Sequence, residues 1–264
     1  YYKSEKDILK KAFGKGKAFI PFITCGDPSL EVTERIVYAM EEAGADLIEL
    51  GIPFSDPVAD GPVIQAASYD AILGRANLAK TFTCMQELRA ENVQIPIVFM
   101  MYYNTVLHYG VETFAKKCME CGVDGLIIPD LPFEEQEELQ KALNGSDETI
   151  LIQLVSPVSG ERVKKILENA RGFVYCVSSM GVTGQEATFH KKVIEYLSEV
   201  KKVSKIPVMM GFGIRTAEDV RPMKDIIDGA IVGSHFINLM RKSDFDANVA
   251  ADYCNTFKKE LNAL

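Results

Sequence analysis

Glu49 stands inside an otherwise apolar run, Leu47-Ile-Glu-Leu-Gly51, and two aspartates follow it, Asp56 and Asp60, in the stretch Ile52-Pro-Phe-Ser-Asp-Pro-Val-Ala-Asp-Gly61. An ionised carboxylate in an apolar segment is costly unless it is paired or its pKa shifts. Strand alternation puts Leu47, Glu49 and Gly51 on one face and Ile48 and Leu50 on the other. The apolar pair packs outward against helices, which leaves Glu49 on the inner face. A purely structural Glu there needs an inward Lys or Arg, and no other predicted strand offers an obvious one. The chemistry that fits is proton transfer by a positioned carboxyl group. Asp56 and Asp60 precede Pro and Gly, so each reads equally as a turn former or helix cap.

A second group is built from glycine. Gly181-Val-Thr-Gly184, Gly211-Phe-Gly-Ile214 and Val232-Gly-Ser234 follow three successive predicted strands. Backbone N–H groups approach an anion where side chains are absent, and the short helix predicted over 235–240 presents its N-terminus at Gly233 and Ser234. Together the three turns suggest a phosphate cradle. The Gly-x-Gly of residues 211–213 lacks the third glycine of a dinucleotide fingerprint, and no Walker sequence is present. The long segment 178–190 has the character of a lid. Phe22, Met100, Tyr102, Ile127, Tyr175 and Phe212, large residues at strand ends or in the adjoining turns, would line an apolar pocket that accepts an aromatic ring.

These groups need a frame that gathers strand ends. Apolar, β-branched or aromatic runs predict eight strands, over 18–24, 46–51, 96–102, 125–129, 150–155, 173–177, 207–211 and 230–233, each followed by a helical pattern. A short helix over 3–13, ending at Gly14, precedes them and plugs or flanks the assembly. Ala43-Gly-Ala-Asp46, Cys121-Gly-Val-Asp124 and Asp228-Gly-Ala230 repeat one helix-to-strand junction. The last helix carries Phe245, Val249, Tyr253, Phe257 and Leu261 in a stripe. Alternating short strands and helices without a linker favour one α/β domain over residues 1–264, a TIM (β/α)8 barrel with an extra N-terminal helix. In that fold the site lies at the C-terminal ends of the strands, where Glu49 and the glycine turns fall.

Composition narrows the class further. The 264 residues are 47% hydrophobic and 25% charged, with a net charge of −8, which argues against a nucleic-acid or anionic-membrane surface. A bound phosphate would then be held by backbone dipoles rather than a basic patch. Six scattered cysteines fit a reduced, cytoplasmic protein. Cys118 and Cys121, on one predicted helix, read as two semi-buried thiols rather than a zinc site, and His108, His190 and His235 fit no metal or triad spacing.

The motif Leu50-Gly-Ile-Pro-Phe-Ser-Asp-Pro-Val-Ala-Asp-Gly-Pro62, with Gly181-Val-Thr-Gly184, Gly211-Phe-Gly-Ile214, Gly26-Asp-Pro28 and Met101-Tyr-Tyr-Asn104, resembles the tryptophan synthase alpha chain family over essentially the whole chain. The resemblance implies a lyase that cleaves indole-3-glycerol phosphate to indole and glyceraldehyde 3-phosphate by a retro-aldol reaction. It implies Glu49 as general acid-base and Asp60 as the partner that accepts the indole N–H, with burial pushing the Glu49 pKa upward. Gly184, Gly213, Gly233 and Ser234 would hold the phosphate and Thr183 would lie on the lid. Phe22, Met100, Tyr102, Ile127, Tyr175 and Phe212 would line the indole pocket. Pro53, Asp56, Asn104 and Pro132 would face a beta chain in an alpha2-beta2 heterotetramer. No cofactor or metal is implied for this chain, pyridoxal phosphate belonging to the beta chain. A free-standing indole-3-glycerol phosphate lyase and a non-catalytic subunit that only activates a beta chain are the alternatives. Other phosphate-binding barrels use a strand-end Lys or Cys, for which the candidate here is Cys25.

Overall fold

The computed structural model describes residues 11–54, 61–73, 77–144, 148–177, 186–211 and 213–264. Within them the strands are β1 (Ala18–Thr24), β2 (Ile48–Gly51), β3 (Ile97–Met100), β4 (Gly125–Ile127), β5 (Ile150–Leu151), β6 (Gln153–Val155), β7 (Val174–Cys176), β8 (Val208–Met210) and β9 (Gly229–Val232). Every neighbouring pair is parallel, in the order β5-β4-β3-β2-β1-β9-β8-β7-β6. The two ends of that order, β5 and β6, are successive pieces of one extended stretch interrupted at Ile152. The Ile152 N–H donates to Leu126 O of β4 at 2.8 Å, while β6 pairs with β7. One stretch therefore bonds to β4 and then to β7, and the cylinder closes through it. The eight strands expected from the sequence appear as nine segments for this reason, and the fold is the expected (β/α)8 barrel.

Helices cover the outside. The first full one, Leu30–Glu42, begins at Ser29, whose hydroxyl accepts from the Val32 N–H, and buries Thr33, Ile36, Val37 and Met40 at helical spacing. It stops at Gly44, where φ is 98°, a value that L side chains rarely adopt. A helix at Tyr103–Tyr109 was not legible in the sequence; of its residues only Val106 is buried, so no apolar stripe announces it. Phe245, expected in the last helix, lies outside it with φ of 56°, and the helix runs Ala247–Asn262. The extra N-terminal helix is described only at residues 11–13, where Ala12 is fully buried and Phe13 packs on Phe173 with ring centroids 6.1 Å apart. That contact places the helix end against the barrel interior.

Among the described residues, alternation separates an inner from an outer core. Ala18, Ile20, Leu47, Val98, Ile127, Ile150, Ile152, Phe173, Met209 and Ile231 fill the inside of the cylinder. Ile48, Leu50, Phe99, Leu126, Val174 and their equivalents pack outward against the helices. Side chains filling the interior make it a packed core rather than a pore.

The repeated junction proves to be a register device. Asp46 Oδ2 accepts the Phe19 N–H of β1 at 2.8 Å, Asp124 Oδ2 the Ile97 N–H of β3 at 3.0 Å, and Asp228 Oδ2 the Val208 N–H of β8 at 2.7 Å. Each carboxylate is also paired with a cation, Lys258, Arg89 and Lys201 respectively. Asp46 and Lys258 are 2.7 Å apart with side chains only 3% and 11% exposed. Burial pushes the Asp46 pKa up, against the opposing pull of Lys258 and the Phe19 amide. Removing one partner of such a pair leaves a buried charge uncompensated. Lys258→Met should therefore cost about 3–5 kcal/mol, read as a lower urea midpoint at unchanged m value.

Candidate active site

The inner face continues upward from the core into a cavity of about 1140 Å³ at the C-terminal ends of the strands. Phe22 of β1, Glu49 of β2, Met100 of β3, Ile127 of β4, Leu154 of β6, Tyr175 of β7 and Ile231 of β9 all line it. Each lies two or four residues along its strand segment from an inner-core residue, or is itself one, so the alternation that fills the core also builds the pocket. Glu49 is 2% exposed, opposite Phe22 on one side and Val98 on the other in the strand register. It is the one carboxylate among the described lining residues. Gly51, next on the same face, gives Phe22 its place: a Cβ there would stand 2.5 Å from the Phe22 Cζ.

The opposite side of the cavity is made by the loops after β8 and β9. Gly213, with φ of 62°, and Gly233 both line the cavity, and the space where a Cβ would point is open at each. Ser234 opens the helix Ser234–Lys242, so unsatisfied N–H groups and the positive end of the helix dipole face this end of the cavity. His235 lines it as well. Burial lowers the His235 pKa, and the positive charges of Arg215 and Lys242 lower it further while Asp219 opposes them. His235 is accordingly neutral at neutral pH, a hydrogen-bonding group rather than a charge.

The same helix is fixed from behind. Arg241 bonds to Asp27, in the turn after β1, at 3.3 Å and also to Asp70 of the helix Pro62–Leu73. Burial pushes the Asp27 pKa up to about 6, with Arg241 pulling it down and Asp70 pushing it up. The anion-facing helix, the β1 turn and the helix after the acidic loop are thus tied at one point.

A deep apolar pocket with one buried carboxyl group and an anion-accepting helix end is now in view, and comparison with known proteins gives it a lineage. Residues 9–264 match the family model for the tryptophan synthase alpha chain. The tryptophan synthase alpha chain of Lachnospira eligens is 62% identical over 260 residues, covering 98% of each chain. The chain belongs to the tryptophan synthase alpha chain family. The crystal structure of the Legionella pneumophila alpha subunit superposes with a TM-score of 0.88 at 30% identity over 98% of both chains. The chain likewise matches the tryptophan synthase complex from Pyrococcus furiosus, with a TM-score of 0.81 at 31% identity over 95% of this chain and 99% of that one. The activity is that of a lyase of tryptophan biosynthesis, the cleavage of indole-3-glycerol phosphate.

Of the residues singled out in the sequence, Glu49, Phe22, Met100, Ile127, Tyr175, Gly213, Gly233 and Ser234 share this one cavity. Tyr102 is not among its lining residues. It is buried, and its ring stacks on Phe54 with centroids 5.1 Å apart, because β3 ends at Met100 and Tyr102 already caps the next helix. Asp56, Asp60, Thr183, Gly184 and Phe212 lie outside the described residues. Pro53, Asn104 and Pro132 sit just past β2, β3 and β4, on neighbouring strand ends, with Asn104 and Pro132 exposed. Asp130 accepts the Tyr103 N–H at 2.8 Å and joins two of these loops.

Sequence reasoning passed over Arg215 and Lys242, which line the cavity, and expected an anion to be held by dipoles alone. The available signal was spacing: Arg215 is two residues beyond Gly213, and Ser234, Asn238 and Lys242 recur at i, i+4 and i+8. The close approach at Gly51 gives a direct check of the pocket wall. Gly51→Ala should displace the Phe22 ring, destabilise the fold by about 1–3 kcal/mol and raise KM for the indole-bearing substrate, measured by chemical unfolding and steady-state kinetics.

Proposed function

We propose that Glu49 and Asp60 carry the cleavage of indole-3-glycerol phosphate between them. Protonation of the ring at C3 turns the C2–C3 double bond into a C2–N1 iminium. Loss of the proton from the adjacent side-chain hydroxyl then makes that carbon a carbonyl and breaks its bond to C3, whose electron pair restores the aromatic ring. One proton enters at C3 and one leaves from oxygen, so a single carboxyl group serves both steps and no net redox change occurs. Glu49 takes that role. Asp60 accepts the indole N–H and balances the positive charge that grows on the ring.

The observation that carries this reading is the position of Glu49: a carboxyl group on the inner face, 2% exposed, opposite Phe22 in the strand register and lining one cavity with Phe22, Met100 and Ile127. A carboxyl group fixed at the wall of a ring-accepting pocket is positioned to give and take a proton at one point of the substrate. For Asp60 the support is its motif and its neighbour Gly61, which lines the same cavity. Phe22, Met100, Ile127, Tyr175 and Phe212 hold the indole ring. Gly184, Gly213, Gly233 and Ser234 hold the phosphate, and Thr183 belongs to the lid that excludes water.

The chain works with a beta chain in an alpha2-beta2 heterotetramer, with Pro53, Asp56, Asn104 and Pro132 on the shared face. Indole passes to that subunit, which holds the pyridoxal phosphate; the alpha chain's own chemistry is proton movement and needs no resident cofactor. The chain is one domain and works in the cytoplasm, and no helix among the described residues is long and apolar enough to cross a membrane.

Glu49→Gln keeps the volume and removes the titrating group. It should lower kcat for indole release by about 10²- to 10⁴-fold while inhibition by inorganic phosphate persists. Near-normal turnover in that variant would remove Glu49 from the mechanism.

A further inference from the structure

The chain carries a net charge of −8, yet its substrate arrives as a phosphate ester. Something local has to reverse that repulsion. Among the described residues lining the cavity, the one carboxyl group is the proton-transferring Glu49, and the cations are Arg215 and Lys242. We propose that Arg215 and Lys242 form a cationic guide that draws the phosphate group of the substrate to the end of the cavity made by Gly213, Gly233 and Ser234, and so set substrate affinity. This rests on the reading of those three residues as the phosphate site.

The first support is that, among the described residues, both charges are uncommitted. Neighbouring cations are engaged: Arg241 with Asp27 and Asp70, and Lys258 with Asp46. The Arg215 guanidinium and the Lys242 ammonium hold no hydrogen bond or ion pair to any described residue. The two carboxylates nearest in sequence to Arg215 are both engaged elsewhere: Glu218 pairs with Arg221 at 2.8 Å, and Asp219 Oδ2 accepts the Arg215 N–H at 2.8 Å and the Thr216 N–H at 3.1 Å. The Arg215 carbonyl in turn accepts from the Tyr253 hydroxyl at 2.5 Å. The root of the side chain is pinned on both sides while no described residue engages its charge.

The second support is placement. Ser234, Asn238 and Lys242 fall on one face of the helix, and all three line the cavity. Lys242 lies eight residues from Ser234, roughly 12 Å along the axis, and helical side chains lean toward the N-terminus. The field of both cations reaches the helix start: after burial, Arg215 lowers the His235 pKa most, Asp219 opposes it, and Lys242 adds a smaller lowering. A span of that size is close to the Debye length of about 8–10 Å at physiological salt. Lys242 therefore acts through the field, as a salt-sensitive attraction at the mouth, and Arg215, beside Gly213, acts at closer range.

The test uses the full chain and measures kcat and KM for indole-3-glycerol phosphate from low to high salt, with inorganic phosphate and neutral indole as competing probes. The variants are Arg215→Gln, Lys242→Gln and the double change, with Lys80→Gln as the same charge loss on an exposed site away from the cavity. Each single change should raise KM by about 2- to 10-fold at low salt, and the double change should flatten the fall of kcat/KM with salt. kcat and the inhibition by indole should stay within about twofold, and Lys80→Gln should match the parent. If KM and the salt slope of the double variant equal those of the parent while phosphate still competes, the guide is overturned and the phosphate site stands. If phosphate does not compete even in the parent chain, both the guide and the reading beneath it fall.

Discussion

A carboxyl group on the inner wall of a closed parallel barrel is the constraint around which the rest is arranged. Inside such a cylinder every second side chain is committed to the interior, and ten of them here form an apolar plug. Glu49 occupies the same face one step above Leu47, at the level where the plug gives way to open cavity. One residue earlier or later in the strand, it would point at the helices with Ile48 and Leu50. The chemistry thus depends on register. Register in turn is held at the opposite end of the barrel by Asp46, Asp124 and Asp228, each accepting an N–H of an adjacent strand or of the residue leading into it.

The division of labour across the cavity follows from the same geometry. The side nearest β1 to β4 offers Phe22, Met100 and Ile127, suited to a flat apolar ring, with the Glu49 carboxyl group on the same side. The side formed after β8 and β9 offers open backbone, a helix N-terminus and two cations, suited to a phosphate. On the proposed reading, a substrate with an indole at one end and a phosphate at the other is matched in order, and binding orients the bond to be broken beside Glu49. Arg241, bonded to Asp27 and Asp70, ties the helix Ser234–Lys242 to the element that follows the acidic loop.

Much of this was legible before any coordinates. Short apolar runs gave the strands and their barrel, and period-two alternation alone put Glu49 on the inner face, since the outward partners Ile48 and Leu50 are unmistakably apolar. What escaped had no periodic signature. The helix Tyr103–Tyr109 buries one residue, Val106, and so shows no stripe. Gly229, expected in the junction ahead of a strand over 230–233, instead lies within β9, where a Cβ would approach the Ala18 carbonyl to 2.6 Å. Arg215 and Lys242 are a loop cation and a helix-end cation, positions whose meaning depends on what lies across the cavity. Asp60 and the beta-chain face were reached through family resemblance rather than through pattern.

The central claim is that the Glu49 carboxyl group delivers the proton to C3 of the indole ring. Its most direct measurement is hydrogen exchange on indole itself, followed by proton NMR in D₂O with catalytic amounts of the chain. The account predicts that the chain exchanges the C3 hydrogen, leaves the C2 hydrogen in place, and loses the C3 exchange when Glu49 is replaced by Gln. Exchange at C3 that proceeds at the parent rate without the Glu49 carboxyl group would contradict it.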